Sequence, residues 1–87
     1  MKPRQEVRNE FVRQWLDKAE ADLGVAVQLI AANTPYRAIV AFHCQQAVEK
    51  FLKAFLVGRE VEFSKTHNIE ELLRLVAKVN AGMARLI

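Results

Sequence analysis

Residues that interrupt a helix are scarce in this chain. It has three glycines and two prolines in 87 residues, and sustained period-two alternation is all but absent. That combination points away from β structure and toward an all-α fold. Cysteine occurs once, at Cys44, so no internal disulfide can form. Cys44 lies mid-helix in apolar company and reads as a small buried hydrophobe. One cysteine and two histidines, His43 and His67, do not make a zinc site, and no metal or cofactor is expected. A glycine-rich phosphate loop is missing. No apolar run is long enough to span a bilayer, and the opening MKPRQEVRNE has no apolar segment behind it of the kind a signal peptide needs. A cytoplasmic protein without membrane association is the expectation. A large excess of one charge sign is also lacking. The formal net charge is +3, with acidic and basic residues interspersed, which argues only weakly for a nucleic-acid partner.

What is present is apolar. Hydrophobic residues make up 52% of the chain, enough for one small core and one domain over residues 1–87. A domain of this size buries a limited area, so a dimer or a partner is expected. The pattern predicts an antiparallel up-and-down bundle of three main helices, at about 7–33, 35–57 and 68–80, with a short C-terminal extension. In the first, Val7, Phe11, Trp15, Ala19, Asp22, Ala26, Leu29 and Ile30 form the inner stripe. Gly24 interrupts it, and a close helix–helix approach is one reason a glycine would stand there. Asn33 tolerates a left-handed conformation and ends the helix. For the second, Thr34 suits the cap, Pro35 the first helical position and Gly58 the residue past the end. Asn68 and Glu71 match a capping box for the third, with Thr66 as an alternative cap. Its stripe is Ile69, Leu72, Leu73, Val76, Val79 and Met83. Ala81-Gly82 reads as a break, and the last residues, MARLI, as an extension too short for a fourth helix.

The middle helix organises the rest. On a wheel of about 100° per residue, Val40, Ala41, Cys44, Ala47, Val48, Phe51, Leu52, Ala54 and Phe55 cover close to half its circumference, which asks for neighbours on two sides. His43, Gln46, Glu49, Lys50 and Lys53 share the remaining sector, as a solvated edge or the lining of a groove. Asp22 lies on the inner stripe of the first helix and needs a partner there; His43, Gln46 or Lys50 can supply one. Glu49 and Lys53 stand i, i+4 apart, as a surface ion pair does. His43 reads as an interhelical hydrogen-bonding residue more readily than a catalytic one. His67 beside Lys65 and Thr66 reads as structural, with phosphate contact near a helix N-terminus as the alternative. No residue is assigned a catalytic role.

The run Phe42-His43-Cys44-Gln45-Gln46-Ala47-Val48-Glu49-Lys50-Phe51-Leu52-Lys53-Ala54 resembles the core of the HEPN domain family (higher eukaryotes and prokaryotes nucleotide-binding). Trp15 to Leu23 is similar to the family's opening, and Thr66-His67-Asn68-Ile69 with Leu72-Leu73 to its later segment. The resemblance implies a helical bundle, often homodimeric, and a partner among the small (minimal) nucleotidyltransferases, as in toxin–antitoxin pairs. It also implies nucleotide or nucleic-acid binding or, in some members, metal-independent ribonuclease activity. The ribonucleases carry an Arg, then four to six intervening residues, then a His near a late helix. Here that motif is missing at the late position. Arg37 and His43 match its spacing only at the start of helix two, about 120° apart on the wheel. Ile87 falls where family members usually continue into a further helix, so the chain reads as a short form of the bundle.

The reading that results is a nucleotide- or RNA-binding or interaction module, one half of a nucleotidyltransferase pair, whose candidate groove is Asp22, His43, Gln46, Lys50, Lys53, Lys65 and His67. A ribonuclease toxin and a purely structural dimerisation subunit are the alternatives. The same polar residues can equally serve to hold the helices together.

Overall fold

A computed structural model describes residues 2–84, and side chains as far as residue 79. Three helices account for its regular structure: α1 (Arg4–Ala31), α2 (Arg37–Gly58) and α3 (Ile69–Ala84). The all-α bundle expected from the pattern is what forms. The Met83 side chain and the residues after Ala84 lie outside the described residues.

The helix ends depart from expectation in instructive ways. α1 begins at Arg4, because the Pro3 carbonyl accepts the Val7 N–H at 3.1 Å and opens the first turn early. At its other end Asn33 adopts φ 54°. Its N–H reaches the Ile30 carbonyl (3.0 Å) and the Thr34 N–H reaches that of Leu29 (3.1 Å), the paired bonds of a Schellman motif. α2 starts at Arg37, two residues after Pro35, since the Thr34 hydroxyl accepts the Tyr36 N–H at 3.2 Å and holds a turn ahead of the helix. Gly58 is the last helical residue, and the left-handed position falls on Glu60 (φ 57°). There the same motif recurs, with Val61 N–H to Leu56 O (2.9 Å) and Glu60 N–H to Val57 O (3.0 Å). The salt bridge from Arg8 to Glu60 at 3.0 Å gives that side chain a reason to occupy a site glycine would fill more easily. At α3, Asn68 Oδ1 caps the Glu71 N–H (3.2 Å), but Glu71 accepts from Ser64 instead of returning the bond. The Asn68 N–H goes to Thr66 Oγ1 (3.0 Å), so both candidate caps are used. α3 then runs through Ala81-Gly82 without a break.

α2 is the middle member. α1 packs along one side of it and α3 along another, and among the described residues α1 and α3 do not pack on each other. Small residues let the α1–α2 axes approach: Ala19 and Ala26 of α1 and Ala47 and Ala54 of α2 are all buried. Leu56 and Leu72 are the largest fully buried side chains. Within α3, Leu73 is exposed and Leu75 half-buried, so the stripe that meets α2 is rotated slightly from the expected one. The apolar arc of α2 is not fully used either. Val48 and Phe51 remain exposed, and Phe51, Phe55 and Ala54 face Val12 and Leu16 across an open groove.

Gly24 has no packing purpose: a Cβ built there meets no atom within 4 Å. The close approach suggested for it does not occur. Gly24→Ala is therefore expected to stabilise the fold by about 1 kcal/mol, the intrinsic helix preference of Ala over Gly, read as a rise in the urea midpoint at unchanged slope.

Candidate functional site

α2 presents a polar sector toward α1 and the connector that precedes α3. Its polar residues, His43, Gln46, Glu49, Lys50 and Lys53, come every three or four positions and so share that sector. Two carboxylates organise what happens there.

Asp22, from the inner stripe of α1, is the first. Its Oδ1 accepts from His43 Nδ1 at 3.0 Å, and its Oδ2 from the Lys50 ammonium. All three side chains are largely buried. A carboxylate can only accept, so the His43 proton in this bond sits on Nδ1, and Nε2 is left free of Asp22. The Lys50 hydrogen bond, then that of His43, holds the Asp22 carboxyl below its ordinary value, against a smaller opposing effect of burial. The Phe42 ring stands edge-on to the imidazole, centroids 5.4 Å apart. The expected interhelical partner for Asp22 is thus found twice over.

Glu49 is the second, and its position overturns the surface ion pair suggested by the i, i+4 spacing to Lys53. Glu49 is 3% exposed and Lys53 5%. Glu49 Oε1 accepts instead from His67 Nδ1 at 2.9 Å. His67 itself is largely exposed, so it reaches in from the connector and fastens that segment to α2. Lys53 turns the other way, its ammonium 5.1 Å from the centre of the Trp15 ring. Lys18 approaches the same indole at 5.3 Å.

Of the seven candidate groove residues, Asp22, His43 and Lys50 form one cluster. Gln46 lies one turn from His43, half-buried and without a hydrogen bond to any described residue. His67 and Lys53 belong to the adjoining Glu49 and Trp15 contacts. Lys65 stays exposed on the connector, with no bond to the others. Trp15 and Lys18 were not singled out for the groove by sequence. Trp15 sits on an apolar stripe and reads as core, and only the two lysines one turn away or across the interface mark it as something else. Arg37 is exposed at the start of α2 and has no bond to His43, so the Arg–His spacing there does not assemble a pair.

Among the described residues, no group of three or more His, Cys, Asp or Glu could hold a metal ion, and no helix is long and apolar enough to cross a membrane. The fold and the polar sector together define a small helical-bundle domain with a cluster of charged side chains on one side of its central helix. The HEPN domain model matches residues 12–85, and the chain belongs to that family. Membership places it among nucleotide- and RNA-related modules. No curated protein and no solved structure matches the chain.

Proposed function

We propose that this HEPN domain binds a nucleotide or RNA along the polar sector of α2, between α1 and the connector. One observation carries the reading. His43 Nε2 and the Gln46 amide, one turn apart and half-buried, are left without hydrogen bonds to the described protein. Half-buried polar groups without partners favour a ligand that supplies them. Asp22 and Lys50 fix the His43 ring, so its open nitrogen is pre-aimed. Lys50 is committed to Asp22, which makes it a support for the site and a poor choice for testing it.

Calorimetry with ATP and with a short single-stranded RNA tests the proposal. Saturable heat is expected with at least one of them. Gln46→Ala is expected to weaken that binding by roughly tenfold, the effect of one well-placed hydrogen bond, with little change in thermal stability. Absence of binding by the wild type would contradict the proposal.

The exposed apolar flank, with Val48, Phe51 and the groove facing Val12 and Leu16, supports a second element of the same reading. We infer that it is covered by a second copy or by a small nucleotidyltransferase, the pairing that the family resemblance implies. Sedimentation equilibrium of the chain alone, and of the chain coexpressed with such an enzyme, distinguishes the two. A monomer that captures no enzyme would contradict both.

A further inference from the structure

Among the described residues, Lys53 is a buried charge without an ionic partner. Its side chain is 5% exposed, yet its ammonium forms no hydrogen bond or ion pair with any described residue. It lies over the face of Trp15. The two nearby carboxylates are already occupied, Asp22 by Lys50 and His43, and Glu49 by His67. Lys18 brings a second ammonium to the same ring and is likewise without a carboxylate partner. The neighbourhood therefore holds three lysines, at 18, 50 and 53, against two carboxylates.

Burying a lysine without an anion is unfavourable, and an aromatic face offsets only part of that. No fully buried side-chain nitrogen or oxygen among the described residues lacks a hydrogen bond. The Lys53 Nζ has none among the described residues, so it retains some accessible surface, the side from which an anion would approach.

We propose that Lys53, Lys18 and the Trp15 face form the phosphate subsite of the polar sector. This rests on the nucleotide or RNA reading above and says which part of such a ligand binds where. A terminal phosphate or pyrophosphate carries enough charge to match two ammonium groups, and two successive phosphodiesters of an RNA backbone do the same, whereas a single carboxylate leaves one unmatched. Lysines act as point charges toward phosphate and need no fixed planar geometry. His43 and Gln46, about three and two turns from Lys53 on α2, then meet the parts of the ligand that need directional bonds.

Trp15 is the single tryptophan of the chain, so its emission reports on this subsite alone. The experiment titrates the protein with inorganic pyrophosphate, ATP and a short single-stranded RNA at constant ionic strength, with chloride as the control. In parallel, anisotropy of end-labelled RNA follows RNA binding independently of Trp15. The expected result is a saturable change in Trp15 emission with phosphate-bearing probes and none with chloride. Affinity should fall roughly tenfold or more in Lys53→Met and severalfold in Lys18→Met, an exposed position whose substitution leaves the core untouched. A response to pyrophosphate alone identifies a small phosphate ligand. A response to RNA alone identifies the polymer backbone, and either supports the subsite. Anisotropy showing RNA binding that both variants retain at wild-type strength would overturn the subsite and leave the broader reading standing. Absence of any response to all three probes, with no anisotropy change, would overturn both.

Discussion

Replacing Asp22 by Ala is expected to lower the unfolding free energy by about 2 to 3 kcal/mol at neutral pH. Removing one member of a buried charged cluster leaves the others unpaired, a loss of roughly 3 to 5 kcal/mol when burial is complete, and less here because His43 and Lys50 keep some access to water. The pH dependence identifies the cause. Asp22 titrates below its ordinary value in the folded protein, through Lys50 first and His43 second. A carboxyl with a lowered folded pKa contributes stability above the unfolded value, about 3.9, and loses it as pH falls through the folded one. The difference between wild type and Asp22→Ala should therefore be full at pH 7 and narrow below about pH 4. Urea unfolding at pH 7 and pH 3 measures it. An equal difference at both would mean that Asp22 acts through packing and not through its charge.

Leu72→Ala is expected to cost about 3 kcal/mol, in the range for a fully buried leucine, and to act locally. Leu72 is the fully buried side chain through which α3 meets the rest of the fold, and among the described residues α3 packs on α2 alone. Amide exchange in the variant should accelerate in α3 while α1 and α2 stay protected. Uniform loss of protection would show instead that the three helices unfold as one unit.

Both effects bear on what a sequence makes visible. Asp22 could be read in advance because a carboxylate on an apolar stripe demands a partner, and helix two offers candidates at one angular position. Trp15 and Glu49 could not. Each has an ordinary explanation at its own spacing, a core aromatic for one and an i, i+4 ion pair for the other. Only the folded chain buries Glu49 and brings His67 of the connector to it. Helix ends were legible where one residue type decides them, as at Asn33. They shifted where a backbone hydrogen bond outweighs composition, as at Pro3, or where a side chain gains an ion pair, as at Glu60. Gly24 was misread because a glycine within a helix invites a packing reason, and here no neighbour stands near it.

Ligand binding on the polar face of α2 is the central proposal, and its most direct test is residue-resolved. Amide and side-chain resonances can be followed in a two-dimensional NMR titration with a short single-stranded RNA or with ATP. Shifts concentrated at the His43 ring, the Gln46 side-chain amide and the Trp15 indole, with the Phe51 flank unmoved, are the predicted outcome. Shifts that instead map to the Val48–Phe51 flank, or to the exposed termini alone, would contradict it.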